Sequence, residues 1–119
     1  MSDNFMIPTR SLPMNFGPLK GANGNARITG PCGDTMEFWV IVEDAQVTLA
    51  SYTTDGCSHS IACGFAAAAL ANGQPLPVVR SLTPADVLAV AGDIPDESSH
   101  CALLAVNTLN AAVNSYAGS

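Results

Sequence analysis

Positive charge is what this 119-residue sequence has least of. Its four basic residues, Arg10, Lys20, Arg27 and Arg80, are scattered, and against ten acidic residues they leave a formal net charge of −6. No basic stripe exists to neutralise a phosphate backbone, so nucleic-acid binding is not expected. Long apolar runs are also missing. The most apolar stretch, residues 61–71, is alanine-rich and about half of the roughly 20 residues a membrane span needs. Residues 1–12 lack the charged-then-apolar pattern of a secretory signal. No membrane partner is expected, and the chain reads as soluble and cytoplasmic. Charged residues make up only 12% against 48% hydrophobic, which excludes the disordered regime and leaves enough apolar surface for one core. No Cys-x-x-Cys pair occurs, so a zinc ribbon or thioredoxin-type motif has no support. In a cytoplasmic chain the four cysteines that are present point to metal or redox chemistry rather than disulfides.

Punctuation by glycine and proline divides the chain. Residues 1–25, with Pro8, Pro13, Pro18, Gly17, Gly21 and Gly24, are expected to form a flexible N-terminal arm, and 26–119 a single domain. A short edge strand is expected near Ala26–Thr29. From Thr35 to Val42 the pattern alternates: Met36, Phe38, Val40 and Val42 share one face, and Glu37, Trp39 and Ile41 the other. Glu43-Asp44-Ala45 supplies a tight connection to a second strand, with Val47, Leu49 and Ser51 opposed to Thr48, Ala50 and Tyr52. Ser58–Ala71 reads as a helix stopped by Asn72-Gly73, followed by an extended link through Pro75 and Pro77. Thr83-Pro84 starts a short helix ending at Gly92. A last helix is expected from about Glu97 to Tyr116, capped by Ser98 or Ser99, with an apolar face of Leu103, Leu104, Val106, Leu109, Val113 and Tyr116. Strands before helices predict an α+β fold: a small antiparallel three-stranded sheet with helices packed on one face.

Three cysteines stand where such elements begin. Cys32 lies in Gly30-Pro31-Cys32-Gly33-Asp34, Cys57 in Gly56-Cys57-Ser58-His59, and Cys101 directly follows His100. Helix starts favour the thiolate, the form that binds metals and attacks sulfur. Most intracellular cysteines are small buried hydrophobes, but three at element ends, joined by Asp34 and His100, form a donor set suited to a soft metal or an iron–sulfur cluster. Cys63 lies four residues after His59 on the same helix face; the pair could add ligands, although a packed cysteine beside a partly exposed histidine is the simpler reading.

With those residues in view, residues 15–116 resemble the IscU/NifU-type iron–sulfur cluster assembly scaffolds. Asn15-Phe16-Gly17 is similar to the end of that family's NPRN-x-G segment. Gly30-Pro31-Cys32-Gly33-Asp34 matches its first cysteine motif. Gly56-Cys57-Ser58-His59-Ser60-Ile61-Ala62 is similar to GCG-x-[AS]-IA, and His100-Cys101-Ala102-Leu103-Leu104-Ala105 to HC-[SA]-x-LA. The resemblance implies a scaffold domain of the IscU/NifU N-terminal sandwich type, a carrier rather than an enzyme. It would assemble a transient 2Fe–2S cluster from iron and desulfurase-derived sulfur and pass it to apo-proteins. Cys32, Cys57 and Cys101 would be thiolate ligands, with Asp34 or His100 completing the site and Cys63 a further candidate. Asp34 would keep the cluster labile, and Cys101 would accept persulfide sulfur. The implied partners are a cysteine desulfurase, an electron donor and apo-protein acceptors, with a homodimer left open.

The chain also departs from that pattern. Ile94-Pro95-Asp96-Glu97-Ser98-Ser99 stands where relatives often carry a chaperone-recognised Leu-Pro-Pro-Val-Lys, with Ser98 in the lysine's place. An N-terminal helix common in relatives is missing or reduced to residues 1–12, and Cys63 replaces a usual serine. The alternative is a SufU-like sulfur-relay protein holding zinc in place of the cluster. That branch carries a long insertion between its second and third cysteines, which this sequence lacks.

Overall fold

Alternation, more than any other local signal, builds the sheet. Met36, Phe38 and Val40 are fully buried, and Val42 nearly so, along one face of β2 (Thr35–Glu43). A side chain the size of Phe38, removed from water, contributes about 1.5–3 kcal/mol. A computed structural model describes residues 15–116, with Cys32, Cys57, Asp93 and the Glu97 side chain outside the described residues. Expectations for residues 1–14 also fall outside them. β2 pairs antiparallel with β1 (Gly24–Thr29) and with β3 (Gln46–Thr54). Glu43 and Gln46 face each other across the two-residue turn Asp44-Ala45, both at positive φ (53° and 62°). This is the mirror-image turn whose twist matches that of paired strands.

Three expectations about the sheet change. The sheet has four strands, because β4 (Gln74–Pro75) pairs antiparallel with Gln46 and Val47. The extended link expected through Pro77 is cut short. Pro77 is the second residue of helix α2 (Leu76–Arg80), where a missing N–H breaks no helical bond. The register also shifts between Ile41 and Val42, so that Thr48 is an extra residue on β3. A one-residue slip exchanges the faces. Val47 therefore shares the core face with Ala50 and Tyr52, while Leu49 is 48% exposed. Ser51, on the outer face, is covered by the segment before β1. Its hydroxyl donates to the Gly17 carbonyl, and Tyr52 exchanges backbone bonds with Asn15 and Gly17. From Asn15 onward the expected flexible arm is bound to the sheet.

Helix α1 (Ser58–Ala71) runs close over β3 because its inner face is small. Ala66, Ala67, Ala68 and Ala71 are fully buried, and a Cβ on Gly64 would overlap the Tyr52 ring. Helix α3 (Pro84–Ala91) has the expected cap, with Thr83 and Asp86 bonding each other's backbone amides, and stops at Gly92 (φ 90°). Helix α4 (His100–Asn114) is shorter than expected and follows a 3-10 turn, Asp96–Ser98. Ser99 is already helical (φ −62°, ψ −21°), so its side chain makes no cap bond, contrary to expectation. Leu104, Val106, Leu109 and Val113 are buried as expected, but Leu103 is 49% exposed. A step of about 100° per residue prevents Leu103 and Leu104 from both facing the sheet. Tyr116, beyond the helix, is half-buried. α1 and α4 cover one face of the sheet, and α3 rests on both helices. Among the described residues no helix is long and apolar enough to cross a membrane.

Candidate metal centre

The connections β1–β2 and β3–α1 and the start of α4 meet at one end of the sheet. The first is a tight loop in which the Gly33 amide donates to the Gly30 carbonyl (3.0 Å) and the Gly30 amide to the Asp34 carbonyl (2.8 Å). Gly33 has φ 91°, the left-handed region that glycine enters without strain. This sets Asp34 immediately before β2. Its neighbour Thr35 is fixed from the other connection: its amide donates to Asp55 Oδ1 (2.8 Å), and its carbonyl accepts from the Asp55 amide (3.2 Å) and Thr54 Oγ1 (2.9 Å).

Gly56 then lets the chain pass beside the carboxylate. A Cβ there would lie 2.8 Å from Asp34 Oδ2 and would overlap the Ser60 hydroxyl. Ser60, fully buried in the first turn of α1, donates to Asp34 Oδ2 at 3.1 Å, and its oxygen lies 3.4 Å from Cys101 Sγ. Cys101 is 1% exposed in the first turn of α4, with His100 Nε2 3.8 Å from its sulfur. The approach to α4 is tied to α1, because His59 Nδ1 and Ser98 Oγ are 3.0 Å apart.

Ligand atoms of Asp34, His100 and Cys101 all lie within 4.8 Å of one another. Two donors at about 2.0–2.3 Å from one ion are at most about 4.6 Å apart, so a small closing movement would seat a metal. An oxygen, a nitrogen and a sulfur form a mixed set compatible with zinc or iron. Asp34 and His100 are half-buried, so solvent reaches part of the group. Beside it an apolar groove of about 130 Å³ is lined by Ile28, Pro31, Leu103 and Leu104 together with His100.

Three of the residues singled out in the sequence are thus brought together. Cys32 and Cys57 lie outside the described residues, although Gly56, next to Cys57, borders the Asp34 carboxylate. Cys63 is fully buried in the core and is not in the group of three; His59 is not either. Ser60 was missed as a site residue. Its signal was a small polar residue on the buried side of an alanine helix, one turn from the sequence's second cysteine. A larger cavity, about 400 Å³, lies elsewhere, lined by Phe16, Arg27, Thr35, Glu37, Thr53, Thr54 and Asp55. Among its described lining residues there is no thiol or imidazole.

Comparison with known proteins identifies the family and the fold. The chain matches the family described as the NifU-like N terminal domain over residues 6–119. It is 32% identical over 107 residues to the iron–sulfur cluster assembly scaffold protein IscU of Aquifex aeolicus, covering 87% of this chain and 68% of that protein. It is 31% identical to the nitrogen fixation protein NifU of Cereibacter sphaeroides, covering 89% of this chain but only 44% of that longer protein. The fold is shared with the N-terminal part of a NifU-like protein from Brucella abortus (TM-score 0.67, 15% identity, 92% of this chain and 89% of that one). It is also shared with a candidate SUF-system scaffold from Fervidobacterium islandicum AW-1 (TM-score 0.67, 13% identity, 84% and 87%). The chain belongs to the NifU-like N-terminal domain family.

Proposed function

We propose that this protein is a scaffold on which a 2Fe–2S cluster is assembled and from which it is passed to apo-proteins, a carrier rather than an enzyme. The observation that carries this reading is the convergence of Asp34, His100 and Cys101 at the sheet end where the segments bearing Cys32 and Cys57 also run. The cluster is cargo. Cys32, Cys57 and Cys101 supply thiolates, and Asp34 or His100 completes the set. A carboxylate oxygen or an imidazole holds iron less firmly than a fourth thiolate, which suits a site that must release what it holds.

Sulfur arrives by exchange. The Cys101 thiolate attacks the terminal sulfur of a cysteine desulfurase persulfide; a new S–S bond forms on Cys101 and the desulfurase thiolate departs. Reducing that sulfur to sulfide takes two electrons from an electron-donor partner. The half-buried setting of Asp34 and His100 beside a nearly closed-off sulfur gives such partners partial access to the group.

The test is metal and sulfide analysis of protein purified without oxygen, alongside its visible spectrum. Near-equal iron and acid-labile sulfide, with thiolate-to-iron absorption, is the expected result. Zinc without sulfide would replace the scaffold reading with the zinc sulfur relay, which the mixed donor set also suits.

A further inference from the structure

Ser60 places one hydroxyl between two of the three converging donors, and it is fully buried where solvent cannot take over its bonds. A serine hydroxyl has one proton to give and two lone pairs to receive. Its proton is directed to Asp34 Oδ2, and the same oxygen lies 3.4 Å from Cys101 Sγ. The same hydroxyl therefore joins the start of β2 to the start of α4 through the first turn of α1. Gly56 is bare where a Cβ would overlap that hydroxyl, so the backbone leaves room for the bridge.

We propose that Ser60 is a positioning residue for the metal site: by donating to Oδ2 it fixes the Asp34 carboxylate beside Cys101. This rests on the metal-holding reading of the site and extends it to a residue outside the donor set. Oriented first-ligand groups bind better than mobile ones. Removing such a supporting hydrogen bond commonly lowers metal affinity about 10–100-fold.

Cobalt(II) added to the metal-free full chain is the probe, because its ligand-field bands report donor number and geometry while sulfur-to-cobalt charge transfer reports the thiolate. Ser60→Ala is expected to bind cobalt about tenfold more weakly, with altered ligand-field bands and retained charge transfer. Ser60→Thr, which keeps the hydroxyl, is expected to restore the bands. In an Asp34→Ala background, Ser60→Ala is expected to have no further effect. Unchanged affinity and bands in Ser60→Ala would overturn the proposal. So would an equal loss with and without Asp34, since the serine would then act by general destabilisation. Should the added methyl of threonine prevent folding, the alanine double-variant comparison still decides. Failure of the unaltered chain to bind cobalt would instead overturn the metal site itself.

Discussion

At the hairpin end of the sheet, side chains serve the backbone. Asn23 donates to the Val42 carbonyl and accepts from its amide, Asn72 accepts from the Ala50 amide, and Gly73 and Leu76 close the corner with main-chain bonds to Val47 and Ala45. At the opposite end, where Asp55 and Thr54 likewise bond the main chain, side chains also bond one another: Ser60 to Asp34 and Cys101, Cys101 to His100, His59 to Ser98, Thr29 to Thr35. Such bonds are the minority class in folded proteins, and each contributes only about 0.5–1.5 kcal/mol. The first arrangement fixes the chain. The second brings a carboxylate, an imidazole and a thiol together while three connections hold them near each other. On the proposed function, the chemistry sits at one end of the sheet and a corner of purely backbone-fixing bonds at the other, with the buried face of β2 between them.

The largest effect is expected from Cys101→Ser, which tests that separation from the site end. Loading with iron and sulfide, and acceptance of persulfide sulfur, should be lost altogether, while the variant keeps a cooperative thermal transition. Mass spectrometry after exposure to a desulfurase and calorimetry of the same sample check the two halves. An unfolded variant would show that the site end carries more of the stability than its hydrogen bonds suggest.

Phe38→Ala approaches from the other side. It empties a fully buried position stacked on Tyr52 (ring centroids 5.8 Å apart), and should cost about 3–5 kcal/mol in denaturant unfolding. Metal uptake per folded molecule should survive. A smaller consequence is expected of Asp34→Ala: a loaded cluster should leave several-fold more slowly when presented with an apo-protein acceptor. An unchanged lifetime would remove lability from the role of Asp34.

How legible all this was in the sequence follows the same division. The core face of β2 was readable because alternation depends on nothing beyond the strand. The capped start and glycine stop of α3 were readable because their signals lie within its own residues. The reversal of β3 was not, because the slip at Thr48 depends on pairing with Ile41 and Val42. The uncapped Ser99 has a related cause, because a helix end is set by the turn that enters it; the exposure of Leu103 follows from helical periodicity alone, one step from buried Leu104. At the site, the adjacency of His100 to Cys101 is local and visible, and Asp34 stands two residues after a cysteine. That Ser60 would bridge residues 26 and 41 positions away is a tertiary fact, and its only local sign was a polar side chain on an alanine-rich face.

Tyr52 lies on the boundary between the two regions and offers the mildest test. Its ring is fully buried between Phe16 and Phe38, and its hydroxyl donates to the Ile61 carbonyl at 2.7 Å, fastening β3 to α1 just beyond Ser60. Burial, which disfavours the phenolate, pushes its pKa well above the usual tyrosine value. A raised pKa means that the folded state retains a proton the unfolded chain gives up. Its stabilising contribution is therefore whole below about pH 10, where unfolded tyrosine begins to ionise, and falls by about 1.4 kcal/mol per pH unit above that. Tyr52→Phe should be about 1 kcal/mol less stable near neutrality, through the lost hydrogen bond, yet decline less steeply between pH 10 and 11.5. The two stability curves should converge as pH rises, because the other titrating groups are common to both chains. Parallel curves would mean that the phenol ionises as readily in the fold as outside it. The α1–β3 seam would then be open to solvent and could not serve as the rigid support that the Ser60 bridge requires.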